Sequence, residues 1–314
     1  MTDVLTVGEL LVEIMRPEAD IPFAETGEFV GPFASGAPGI FSDAVARLEA
    51  DSGIVAAVGD DGFGDCILGR LERDGVDTSQ VIVSDNRSTG VAFVGYFTGG
   101  SRQFIYHMDN AAAGEISKRD VQADYLQNAR ALHVNGSSVA MGERMREACY
   151  EAVTIARRND LLLSLDPNLR TELLSVEESR EILDPIVDVA DVVTPTEDEL
   201  ATLTGASDPT VGASQLLDRG IDLVALKRGA DGCRLYTNER RLDFDAFDAR
   251  EIDPTGAGDA FSAAIIVGLL EGMPDARLGA FANATGAKAV SEQGPMEGLP
   301  TRDEVIAMVD ATDN

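Results

Sequence analysis

Residues 253 to 261 read Asp253-Pro254-Thr255-Gly256-Ala257-Gly258-Asp259-Ala260-Phe261, a glycine-bearing turn that leads directly into a long apolar run. Glycines let a ligand approach the backbone closely, and the unpaired amides of a helix's first turn, with the helix dipole, favour an anion. Phosphate is the anion such a turn suits. Asp259 falls on the first turn, where the dipole tolerates its charge and it can face whatever the amides hold. A carboxylate beside a phosphate hole points to phosphoryl transfer to a hydroxyl. Taken alone, the same residues equally describe a loop with an acidic helix cap.

Four more segments carry groups of the right kind, each at the end of a strand or the start of a helix. Lys227-Arg228-Gly229-Ala230-Asp231-Gly232 places two glycines in a tight turn that could admit a flat or phosphorylated ligand, or could simply reverse the chain. Asp166-Pro167-Asn168-Leu169-Arg170 offers two groups for a hydrated magnesium ion and a guanidinium for a phosphate or carboxylate; an Asx-Pro turn explains it as well. Thr196 and Glu199 have the spacing of a capping box, which needs no metal. Ser35-Gly36-Ala37-Pro38-Gly39 opens another helix, where a sugar could lie against backbone or where proline merely starts the helix. There is no Gly-x-x-x-x-Gly-Lys-Ser/Thr, and no Gly-x-Gly-x-x-Gly after a strand, so a P-loop ATPase and a dinucleotide enzyme lose support.

The elements that must position these groups follow from hydrophobic period. From about residue 130, short β-rich runs at 131–135, 161–165, 192–194 and 223–226 alternate with helical ones at 144–157, 177–189, 260–271 and 278–291, the pattern of a parallel sheet with helices on its faces. In such folds ligands bind at the carboxyl ends of the strands. The first third differs. A helical stripe at 40–48, a strand at 54–58 and a helix at 66–73 precede a hairpin of 91–97 with 103–106 across Thr98-Gly99-Gly100-Ser101. With residues 10–15 this hairpin is expected to make a small antiparallel sheet serving as a lid, built from about 10–34 and 88–110. The expectation for the whole is one α/β domain, residues 1–314; an edge extension of the main sheet is the other reading of the hairpin.

Composition narrows the partners. The chain has 55 acidic and 25 basic residues, a formal charge of −30, and three lysines, Lys118, Lys227 and Lys288. That surface repels nucleic acid and anionic lipid, and a charge so far from zero is a lever associated with halophiles, here a cytoplasm rich in salt. Cys66, Cys149 and Cys233 are odd in number and widely spaced, as free thiols in a reducing compartment would be. No basic leader and no apolar run near 20 residues is present, so a soluble, cytoplasmic protein is expected. The two histidines, His107 and His133, share no ligand spacing, which argues against zinc or a Ser-His-Asp triad.

Together these segments resemble the ribokinase-like (PfkB) carbohydrate kinases over essentially the whole chain. The run 253–261 is similar to that family's C-terminal signature, and residues 35–64, ending Val58-Gly59-Asp60-Asp61-Gly62-Phe63-Gly64, resemble its N-terminal one more loosely. The resemblance implies a central, mainly parallel sheet flanked by helices with a small β lid over the sugar. It further implies ATP and Mg2+ as cofactors and Asp259 as the base. Gly256, Ala257 and Gly258 would form the amide hole. Lys227, Gly229 and Gly232 would lie next to the nucleotide and Asn283 near the adenine. Asn168 and Glu199 would organise magnesium through water, and Asp253 with Thr255 would hold a monovalent cation such as K+. Glu13, Ser35, Gly36 and Ala37 would contact the sugar.

Three positions depart from the family pattern. Ser35-Gly36 stands where a glycine pair is usual, Gly39-Ile40 where a sugar-contacting asparagine is common, and Thr196 where Asn-x-x-Glu begins with asparagine. The opening Thr6 to Glu13 and the segment 166–170 are most similar to the branch that handles fructose, related ketohexoses and 2-keto-3-deoxygluconate. Arg102 and Arg170 could pair with a sugar-acid carboxylate, or serve as a solvated hairpin charge and a phosphate contact. A nucleoside kinase and a non-catalytic sugar or nucleotide sensor are the rivals, and the lid is a possible homodimer face, as in relatives.

Overall fold

The computed structural model describes residues 2–99, 101–169 and 174–312. The strands are β1 Val4–Val7, β2 Leu11–Met15, β3 Val30–Ser35, β4 Ser52–Gly59, β5 Asp77–Ser84, β6 Gly90–Tyr96, β7 Arg102–His107, β8 Ala131–Asn135, β9 Leu162–Asp166, β10 Val192–Val193, β11 Leu223–Lys227, β12 Cys233–Tyr236 and β13 Arg241–Phe244. Nine of them form one sheet in the order β13-β12-β11-β10-β9-β8-β1-β4-β5. Pairing is parallel from β5 through β11 and antiparallel at β11-β12-β13.

Both faces of this sheet are covered, and the strands alternate accordingly. Ile54, Ala56 and Val58 of β4 face a core built with helices Ala37–Arg47, Gly62–Asp74, Ala257–Leu270 and Asp275–Ala289. Val55 and Ala57 of the same strand face the opposite core with helices Glu143–Arg158, Val176–Val187, Glu197–Thr204 and Pro209–Asp218. Helix Ala257–Leu270 is buried along residues 259–268, which explains why its sequence has no polar face.

The second sheet has the order β3-β2-β6-β7 and contains the expected hairpin, with Tyr96 opposite Arg102. One expectation is corrected here. The small sheet is mixed, because β2 and β6 pair in parallel from Leu11↔Gly90 to Met15↔Val94. Two helices and two strands of the main body separate them in sequence, so the chain re-enters from the same end, which a hairpin cannot do.

The core also carries a histidine. His133 on β8 is fully buried, stacks on Phe41 at 3.9 Å between ring centroids, and its Nδ1 lies 3.0 Å from Ser164 Oγ. Burial, with the Lys227 charge adding to it, depresses its pKa to about 3. Below the ordinary value of about 6.5 the unfolded chain binds a proton the folded one refuses, so this stability is complete above pH 6.5 and is lost as pH falls toward 3. At pH 5 the loss is about 2 kcal/mol. Chemical denaturation of wild type and His133→Gln from pH 8 to 5 should show a shallower acid slope in the variant; parallel slopes would mean the imidazole is protonated in the fold.

Candidate active site

Helix Ala257–Leu270 begins at Gly256, whose φ of 84° is left-handed. A Cβ there would sit 2.3 Å from Pro295 O, so glycine is required on two counts. The amides of Ala257 and Gly258 have no acceptor one helical turn back, and Gly256, Gly258 and Asp259 line a cleft of about 310 Å³, the scale of a small-molecule site. Gly258 adds no side chain to that opening. The nearest atom to its missing Cβ is Lys227 Nζ at 3.5 Å, which places a cation beside the hole.

Asp259 lies at the floor of the cleft and is 7% exposed. Its Oδ1 accepts from Asn135 Nδ2 at 3.3 Å and Asn168 Nδ2 at 3.4 Å, the carboxyl-end residue of β8 and the turn after β9. Asn168 reaches it from a backbone with φ 37°, a conformation asparagine tolerates. Two amides therefore orient the carboxylate without neutralising it.

Below them lies a buried ion pair. Lys227 Nζ donates to both oxygens of Asp166, at 2.9 and 2.7 Å, and Ser262 Oγ donates to Asp166 Oδ2 at 3.1 Å. Burial works against the Lys227 ammonium, but Asp166 and Glu199 outweigh it and hold its pKa above the usual lysine value. Burial likewise pushes Asp166 up, with the lysine charge opposing. Asp166 is thus committed to Lys227, and the reading of it as an open magnesium ligand is set aside.

Thr196 and Glu199 form a complete capping box: Thr196 Oγ1 accepts from Glu199 N at 3.3 Å, and Glu199 Oε2 accepts from Thr196 N at 2.7 Å. Glu199 Oε1 also accepts from Leu169 N at 3.0 Å, so this residue fastens the turn that carries Asn168. Both Glu199 and Asn168 line the cleft. Among the described residues no three His, Cys, Asp or Glu side chains converge on a common metal position. A magnesium ion here would depend on water and phosphate oxygens.

At the other end of the cleft lie Ser35, Gly36, Ala37, Glu13 and Glu9. Glu13 Oε1 accepts from Ser35 Oγ at 2.7 Å, and Glu9 accepts from Ser137 Oγ at 2.7 Å and from Ser138. Gly36 has φ 104°, and a Cβ on it would lie 2.4 Å from Glu9 O. The small sheet covers this end with Arg102, Phe104 and Tyr106, and Met108 just after β7 joins them. It is tied to the phosphate-hole loop by two bonds: Tyr96 OH to Asp253 Oδ2 at 2.9 Å, and Arg102 Nη1 to Thr255 Oγ1 at 2.9 Å. Burial and the Asp253 carboxylate push the Tyr96 phenol well above the usual tyrosine range, so it stays a donor.

Gly229, Gly232 and Asn283 do not line this cleft. Gly229 and Gly232 shape the turn after β11, with φ 55° and 83°, and a Cβ on Gly232 would meet Phe244 O at 2.0 Å. Asn283 Nδ2 donates to Asp245 O at 3.1 Å and to Phe244 O at 3.4 Å, holding the exit of β13. Arg170 lies outside the described residues. Asn135, Tyr96 and Glu9 were not singled out in the sequence; a polar residue closing a buried strand, as Asn135 does, was the available signal.

A fold of this kind, with an amide hole, an oriented carboxylate and a lysine at one cleft, defines a phosphotransferase acting on a hydroxyl. Fructokinase-1 of Oryza sativa subsp. japonica is 32% identical over 317 residues, covering 98% of each chain, and fructokinase-1 of Zea mays is 31% identical over 98% of this chain and 97% of its own. Among solved structures, a candidate ribokinase II from E. coli in complex with ATP and Mg2+ superposes with a TM-score of 0.94 at 38% identity, covering 99% of this chain and all of that one. The fructokinase of Xylella fastidiosa with bound ATP gives 0.87 at 25% identity and 99% coverage of both. Residues 1–302 match the profile of the pfkB family carbohydrate kinases. The chain belongs to that family and is an ATP-dependent sugar kinase.

Proposed function

We propose that the acceptor is a neutral ketose of the fructose or tagatose type, phosphorylated at a hydroxyl that rests against Asp259. The observation that carries this reading is the pair of buried carboxylates, Glu9 and Glu13, at the sugar end of the cleft. They accept hydrogen bonds from sugar hydroxyls and repel a carboxylate. Asp259 takes the proton from the attacking hydroxyl. The Ala257 and Gly258 amides stabilise charge on the transferred group, and Lys227 adds a fixed positive charge beside them. Magnesium, when bound with ATP, supplies charge neutralisation on the phosphates, with Asn168 and Glu199 placed to hold its waters. Gly229, Gly232 and Asn283 would then shape the wall against which the nucleotide lies.

Asp253 fits a potassium ion poorly as a side-chain ligand. Its two oxygens already accept from Thr255 N, Thr255 Oγ1, Tyr96 OH and Gly294 N, four donors for about four lone-pair positions. A cation beside Thr255 would have to use backbone carbonyls. The outer face of the small sheet exposes Ile105 (39%), and Phe29 (40%), just before β3, packs edge-on to Phe93 beside it; we take this as the homodimer face. The acidic surface fits a salt-rich cytoplasm, and among the described residues no helix is long and apolar enough to cross a membrane.

A second reading has one observation in its favour: Arg102 lies at the cleft on the small sheet, where it could receive the carboxylate of a keto-deoxy sugar acid. ADP release in molar potassium chloride with magnesium, measured against fructose, tagatose, 2-keto-3-deoxygluconate, ribose and adenosine, separates the two. Turnover on a neutral ketose supports the first reading. A strong preference for the sugar acid, lost in Arg102→Gln, replaces it with the second.

A further inference from the structure

A group of partly buried charges sits behind the phosphate-hole loop, where helices Ala37–Arg47 and Gly62–Asp74 meet the segment 294–299. Arg70 is at its centre, 11% exposed by side chain. Its Nε lies 3.0 Å from Asp43 Oδ2 and 2.9 Å from Asp74 Oδ2, and its Nη1 lies 3.6 Å from Glu297 Oε1. The shortest of its bonds goes to backbone, with Nη2 donating to Met296 O at 2.6 Å. Arg47 makes a parallel tie, Nε to Leu299 O at 2.8 Å, and pairs with Asp74 at 3.3 Å.

The segment so held is the support of the hole. Pro295 O lies under Gly256, at 2.3 Å from the position a Cβ would take, and Gly294 N donates to Asp253 Oδ2 at 3.0 Å. The carbonyl that Arg70 grips and the carbonyl that sets Gly256 belong to adjacent residues, Met296 and Pro295. A shift of the segment therefore moves the left-handed turn from which the Ala257 and Gly258 amides are directed.

We propose that Arg70 is a positioning residue for phosphoryl transfer: by clamping Met296 it fixes Pro295 beneath Gly256 and so sets the aim of the amide hole. Arg70 touches neither sugar nor nucleotide in this assignment, and its effect falls on the transition state, where donor placement counts most. The inference rests on reading this cleft as the site of phosphoryl transfer, with Ala257 and Gly258 as the hole; Asp259→Asn tests the phosphotransfer reading through the base, without touching Arg70.

The obvious variant is confounded. Asp43 has no exposed side-chain surface, and burial pushes it up to about 7 against the pull of Arg70, so Arg70→Met alone would strand a buried carboxyl and weaken the fold. The informative protein is the double variant Asp43→Asn/Arg70→Met, compared with wild type and with Arg70→Lys on the native Asp43. ADP release is measured with magnesium-ATP and whichever sugar the wild type turns over, alongside thermal melting. The expected result is a folded double variant whose kcat falls at least about tenfold while the sugar KM stays within about twofold. Arg70→Lys, able to reach Met296 O with a single donor, should recover part of that loss. A folded double variant with wild-type kcat, a loss confined to KM, or an Arg70→Lys variant as slow as the double would each overturn the assignment.

Discussion

Asp259→Asn is expected to lower kcat by about 10²- to 10⁴-fold, or roughly 3–5 kcal/mol of transition-state stabilisation, while leaving the melting temperature nearly unchanged. The carboxylate is held by hydrogen bonds of 3.3 and 3.4 Å from Asn135 and Asn168, which an amide of the same shape can accept through its oxygen. Basicity is what the substitution removes. The amide hole, Lys227 and the sugar contacts remain, so the variant should bind sugar and ATP with near-normal affinity and turn over slowly. Calorimetric titration with each ligand, paired with steady-state ADP release, checks both halves of the expectation. Near-normal turnover would show that the proton leaves by another route.

Lys227→Met should cost more in stability than any substitution at the cleft surface. It leaves Asp166 fully buried with only the Ser262 hydroxyl and its own turn as partners, and breaking a buried pair from one side costs about 3–5 kcal/mol. For a chain of this size that is a drop in melting temperature on the order of 5–10 °C. Asp166→Asn added to Lys227→Met should restore most of the stability, because a neutral amide no longer needs the cation. Turnover should stay low in both, since the positive charge beside Gly258 is gone. Equal melting temperatures for the single and double variants would mean that Asp166 is already neutral in the fold.

The parts of this architecture that could be read from the chain are those whose burial is complete. Strands β8, β9 and β11 are mainly apolar runs covered on both faces, and helix Ala257–Leu270 is largely apolar all round for the same reason. Strands β5 and β13 escaped because they are sheet edges, half exposed, with polar residues that break the period; β10, expected at 192–194, is present at Val192–Val193. The parallel pairing of β2 with β6 joins residues more than 75 apart, and no local pattern encodes it.

A similar division runs through the site. Gly256 and Gly36 announced themselves because glycine marks backbone that other residues rarely adopt, and their φ values here are 84° and 104°. Asp259 was legible from its place on the first helical turn. Asn135, Tyr96 and Glu9 were not, because each acquires its role from a partner more than 120 residues away. Lys227 drew notice as a rare lysine, yet its attachment to Asp166 is a tertiary fact. The capping box of Thr196 and Glu199 was readable as local geometry, while its second task, holding Leu169 N, was not.

The strand order sets a timetable for the growing chain. β1, made first, lies between β4 and β8, so its second edge stays open until residue 131 has been synthesised. Helix Ala37–Arg47 waits longer, since Ile40 packs toward Gly256 and the helix lies against Ala257–Leu270. A nascent chain released before residue 257 would own all four strands of the small sheet and the sugar-end carboxylates but neither base nor hole. Its uncovered core face would be the kind of apolar surface that chaperones hold, and the chemistry of this protein waits until residues 257–259 have joined a sheet made well before them.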